Sequence, residues 1–192
     1  MFFQNYKKKG QVFGTEALTL LKMSFGLKFY DDPKFELPKA FFKDVYIDGF
    51  LTQFLQKHLI ILQENKMWST QNISDFTIEF YNSIDPSGTY ASQTINNQRV
   101  SNIDKLHNDK DYKNGAIAAS ALIIVQNDLI QNYVNDSQIG EILKKVLDEV
   151  PKLAASAPLN KSLSPEENVK GMLITAVISL TLKKYIENNW RY

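Results

Sequence analysis

The sequence predicts an all-α protein, a compact bundle of five to seven helices, and three observations carry that prediction. Apolar residues recur at three- and four-residue spacing, and strict alternation is scarce. Proline and glycine mostly fall where periodic segments end. The 192 residues are 44% hydrophobic, which is enough apolar surface for a sizeable core, and they include no cysteine to staple a small one.

The first helix is expected over 15–30, with Thr15 as N-cap, Glu16 in the first turn, and Leu18, Leu21, Phe25 and Phe29 on one stripe. Asp31, Asp32 and Pro33 end it. Ahead of it, Phe2, Phe3 and Tyr6 beside Lys7, Lys8 and Lys9 read as a frayed terminus. No signal-type apolar run follows, because Gly10, Gln11, Gly14, Glu16 and Lys22 interrupt the stretch.

A second helix is expected from Pro38, suited to the first helical position, to about Asn65, with Gly49 as the point where it breaks. In the third, Ser74 reads as N-cap and Phe76, Phe80 and Ile84 share one face until the turn Asp85-Pro86-Ser87-Gly88. From 89 to 113 the chain is polar and aperiodic, as a loop would be.

The fourth helix is expected over 111–135, and its segment 116–125 is apolar on nearly all sides, so it belongs at the centre of the bundle. Asn127 falls on its buried stripe, where an amide must find partners. Asp136 or Ser137 caps a fifth helix, which Pro151 terminates or kinks. The sixth starts at Ser164-Pro165-Glu166-Glu167, an N-cap followed by a first-turn proline and two carboxylates at the positive end of the helix dipole, and runs to about Asn188. Its segment 171–182 is the second central one. The reading is a single domain over 1–192. Because all twelve phenylalanines lie between Phe2 and Phe80, a subdomain boundary, if there is one, belongs near 85–88.

Charge narrows the function. The net charge is +1, against the basic excess that phosphate neutralisation demands, so no nucleic-acid partner is expected. The charge is unevenly spread: residues 51–150 carry eight basic and twelve acidic groups, and both ends are mildly basic. The apolar runs fall short of the roughly 20 residues that cross a bilayer. A cytoplasmic location is expected.

The motifs are mainly exclusions. Thiol chemistry is impossible without cysteine, and two histidines, His58 and His107, leave little for a metal. The stretch from Asp109 to Ser120 begins like a calcium loop but has Lys113 at the fifth position, its glycine one place late, and serine where the bidentate glutamate belongs. Phosphate-loop, dinucleotide, nucleophile-elbow and zinc-helix signatures are missing. No catalytic residue, metal or cofactor is assigned.

Two readings of different class follow. The first is a non-enzymatic regulatory protein of inhibitor or immunity type. It would meet another, basic protein through Glu64, Trp68, Asp75, Glu79, Asp104, Asp109, Asp111 and Tyr112, where acidic charge speeds encounter and aromatics anchor. The second is an internal pocket for an apolar small molecule, in a ligand sensor or an enzyme, lined by Phe41, Phe54, His58, Phe76 and Phe80.

Overall fold

The computed structural model describes residues 6–26, 29, 32, 34–63, 68–89, 108–156 and 160–190, and among them every regular element is helical. Six helices of 14 to 20 residues form the expected all-α bundle. Two close helix pairs set its frame.

Helix α1 (Tyr6–Phe25) begins well before Thr15, so the lysine-rich segment from Tyr6 is its first turn and not a frayed end. Gly10 and Gly14 weaken a helix in isolation. Here they are required by packing: α1 lies so close to α3 (Thr70–Ile84) that a Cβ at either position would overlap the carbonyl oxygen of Phe76 or Phe80. Ala17, Leu21 and Ser24 continue the buried stripe.

After Pro38 the chain makes a 3-10 turn (Lys39–Lys43), and the helix expected there breaks at Asp44 instead of Gly49. Asp44 is extended, and its carboxylate accepts hydrogen bonds from the backbone N–H groups of Tyr46 at 2.9 Å and Ile47 at 3.2 Å, which starts α2 (Val45–Gln63). Gly49 lies inside α2, where its bare Cα admits the backbone carbonyl of Tyr112 from α4 (Lys110–Gln126). Gly115 of α4 admits the carbonyl of Tyr46 in return. This second pair is therefore notched from both sides.

Ser69, not Ser74, caps α3, its hydroxyl accepting from Asn72 N–H at 3.2 Å; the face Phe76, Phe80 and Ile84 is buried as expected. Asp109 caps α4 by accepting from the N–H groups of Asp111 and Tyr112. Helix α4 ends at Gln126, short of the expected 135, because Asp128 adopts a left-handed φ of 58°. A short α5 (Ile130–Tyr133) follows. Asn127 is exposed rather than buried, and its amide donates to the Ile123 carbonyl at 2.8 Å, closing the end of α4.

Helix α6 (Gly140–Ser156) is preceded by Asp136, which accepts from the N–H groups of Gln138 and Ile139; those bonds hold its carboxyl below the usual range. The helix passes through the exposed Pro151 without ending. Helix α7 (Pro165–Ile178) has the expected capping box: Glu167 N–H donates to Ser164 Oγ at 3.1 Å, and Ser164 N–H to Glu167 Oε2 at 2.7 Å. A π-helical turn (Ser179–Lys183) then leads into α8 (Lys184–Asn189), where one uninterrupted α-helix was expected.

Residues 118–125 are all buried, as a central segment requires. The segment 171–182 is central only from Ala176 onward, since Gly171 is exposed and the next four residues are half-buried. One continuous cluster of buried side chains draws on positions between Ala17 and Ile186. Phe41, Phe50, Phe54, Phe76 and Phe80 are fully buried in it, each worth about 1.5–3 kcal/mol of burial.

Candidate functional site

Beside the C-terminal half of α1, the 3-10 turn and the end of α3 lies a cavity of about 600 Å³. Helical spacing brings Leu18 and Lys22 to the same face of α1, and both line it. The last residue of α3, Ile84, closes one side, with Asp85, Pro86, Ser87 and Thr89 beyond it. Phe35, Leu37 and Phe42 add an apolar wall. That wall is backed by rings: Phe35 lies 5.5 Å from Phe25 and 4.4 Å from Phe29, and Phe25 lies 5.2 Å from Phe41, centroid to centroid.

Charge is gathered at the same place. Lys22, Lys39 and Lys43 line the cavity with Glu36 and Asp85. Asp85 is held in its turn, where Oδ1 accepts from the N–H of Ser87 at 3.0 Å and from its hydroxyl at 2.7 Å. Lys39 and Lys43 are exposed, and Lys22 is half-buried. Among the described residues the lining holds no histidine, so it offers a shaped apolar surface with cations and lacks an imidazole base.

The aromatic pocket expected around His58 takes a different form. Phe54, His58, Phe76 and Phe80 do converge, but as packed core: the His58 ring stands 4.2 Å from Phe13 and 4.3 Å from Phe54, and Phe54 lies 6.3 Å from Phe80. His58 Nδ1 donates to the Phe54 carbonyl at 2.9 Å, and burial holds its pKa below the usual imidazole value. Phe41 sits elsewhere, 5.4 Å from Trp190. None of these five residues lines the cavity.

The acidic and aromatic surface is altered too. Trp68 is only 8% exposed, packed 4.5 Å from Tyr6 and 5.6 Å from Phe76, with Lys9 Nζ 5.9 Å from its ring. Tyr112 is buried in the first turn of α4, with burial raising its pKa. Both aromatics were expected as surface anchors; the close helix pairing that Gly10, Gly14, Gly49 and Gly115 permit draws them inward instead. Asp75 accepts from Gln71 Nε2 at 2.7 Å and Glu79 from Gln11 Nε2 at 2.8 Å. Asp109 serves as a cap, and Asp111 is exposed. Glu64, Asp104 and His107 lie outside the described residues.

A polar cluster that sequence reasoning missed centres on Asp44. The Tyr185 hydroxyl donates to both of its carboxylate oxygens at 3.0 Å, and Trp190 Nε1 donates to Oδ2 at 3.2 Å. The ring of Tyr46 stacks on Tyr185 at 3.9 Å. Burial pushes both phenols above their usual range, against a Thr181 hydrogen bond at Tyr46 and with the Asp44 charge adding to the rise at Tyr185, and the Tyr185 hydroxyl remains a donor to Asp44. Tyr185 and Trp190 lie more than a hundred positions from Asp44, so no local spacing could reveal the bonds between them.

No family model, curated protein or solved structure matches this chain. Among the described residues, no three histidine, aspartate or glutamate side chains converge to hold a metal ion, and no helix is long and apolar enough to cross a membrane.

Proposed function

We propose that this is a non-enzymatic binding protein whose ligand occupies the cavity beside α1, the 3-10 turn and the end of α3. One observation carries the reading: a volume of about 600 Å³ has an apolar wall and a few charged groups at one place. Ligand pockets typically enclose about 300–1,000 Å³ and combine apolar lining with few polar groups. The core position of His58, outside the cavity lining, supports binding over imidazole catalysis there. The near-neutral charge favours a ligand other than nucleic acid, and a cysteine-free chain suits a cytoplasmic setting.

The test is binding of the apolar fluorophore 1-aminoanthracene by the whole chain and by Leu18→Trp, which obstructs part of the cavity. The reading expects saturable binding that the substitution weakens at unchanged thermal stability. Equal binding by both proteins would contradict it.

A protein partner at the acidic surface is a second reading, supported by the exposure of Asp111 at the start of α4. It predicts that Asp111→Lys slows association with a purified basic partner, mainly through the encounter rate and most at low salt. An unchanged association rate would refute it.

A further inference from the structure

We infer that the cavity takes a single-chain amphiphilic anion, an alkyl carboxylate or alkyl phosphate, with its chain against Leu18, Phe42 and Ile84 and its head among Lys22, Lys39 and Lys43. This rests on the reading of the cavity as a ligand site and names the ligand class.

Three facts favour an anion. Lysines outnumber acids in the lining by three to two, and one of the two acids, Asp85, already accepts two hydrogen bonds from Ser87 within its own turn. The ammonium groups of Lys39 and Lys43 have no hydrogen bond or ion pair to any described residue. Among the described residues Lys22 Nζ reaches only a backbone carbonyl oxygen, that of Asp32, at 3.5 Å, the long limit of a hydrogen bond. The cations that line the cavity thus have little compensation among the described residues.

Two facts favour a chain. Leu18 is one turn from Lys22 on α1, and Phe42 is next to Lys43, so two of the three cations neighbour apolar lining. A free inorganic anion would leave that surface wet, and a neutral apolar molecule would leave the lysines unanswered. An amphiphile satisfies both: its chain displaces water from the half-buried Leu18 and Phe42, and its head forms charge-assisted hydrogen bonds.

The experiment follows backbone amide NMR shifts of the whole chain during titration with decanoate below its micellar range, with 1-decanol, and with inorganic phosphate. The expected result is saturable decanoate binding with shifts at 18–22, 39–43 and 84–87, 1-decanol about tenfold weaker, and no saturation by phosphate. Lys39→Gln combined with Lys43→Gln changes two exposed side chains; it should weaken decanoate about tenfold and leave 1-decanol unchanged.

Equal affinity for decanoate and 1-decanol, or an unaltered double variant, overturns the anionic class and leaves the ligand site standing. No saturable shift at the cavity with either chain overturns the site itself. Saturation by phosphate at a similar concentration shows that the chain is dispensable and overturns the amphiphile. Sedimentation with phosphatidylglycerol vesicles separates the two sources of such a head: the free ligand predicts none, and co-sedimentation lost in the double variant would assign the lysines to a membrane surface instead.

Discussion

The two glycine-notched helix pairs and the α6–α7 hairpin are built on opposite principles. In the pairs α1/α3 and α2/α4, small residues bring backbones into contact, and Gly10, Gly14, Gly49 and Gly115 each face a carbonyl that a side chain would strike. In the hairpin, α6 buries only Gly140, Leu143 and Val146, Gly171 of α7 faces open space, and Leu147 and Val169 remain 41% and 48% exposed. Interlocked backbones cannot slide, so the pairs hold the chain in fixed register. Helix α6 and the first part of α7 contribute cover whose packing tolerates change, and α7 joins the core only from Ala176.

The sharpest way to break this contrast is to fill the notches. Gly115→Val forces a branched side chain into the Tyr46 carbonyl and should cost about 3 kcal/mol or more in urea unfolding. Gly171→Ala does the reverse, because its new methyl meets nothing and alanine favours a helix; it should add about 0.5–1 kcal/mol. Equal effects at the two glycines would erase the distinction.

Asp44 ties the C-terminal helix to the α2/α4 pair, so Asp44→Ala removes both a helix cap and the acceptor of Tyr185 and Trp190. A loss of about 2 kcal/mol is expected, with near-ultraviolet dichroism of the aromatic clasp collapsing while helix content stays. Unaltered near-ultraviolet signal would show that the clasp is held by packing alone.

The smallest effect concerns His58, set between α1 and α2 by Phe13 and Phe54. Burial lowers its folded pKa beneath the unfolded value of about 6.5, so the unfolded chain binds the proton more readily. Its contribution is therefore complete above pH 6.5 and is lost as pH falls from there toward the folded pKa. Stability of the protein should decline over that interval more steeply than that of His58→Phe; parallel profiles would show that the imidazole titrates alike in both states.

What could be read from the chain was local. The Ser164 capping box, the buried face of α3 and the buried 118–125 segment need only neighbouring residues to specify them. What escaped reading depends on a distant partner. Gly10 and Gly14 look like interruptions until α3 lies against them, and Asp44 looks like one more surface acid until Tyr185 and Trp190 reach it. The cavity escaped for the same reason: Leu18, Lys22, Phe42, Lys43 and Ile84 come from three elements, and no spacing joins them. The phenylalanines that composition suggested for a pocket were the ones best able to fill the core.

The proposed ligand meets the protein beside α1 and the 3-10 turn, away from the His58 core. Intermolecular NOEs between bound decanoate and the methyl and aromatic protons of the whole chain test that placement. The expected contacts run from the alkyl chain to Leu18, Phe42 and Ile84; contacts to Phe54, Phe76 or Phe80 in their place would contradict it.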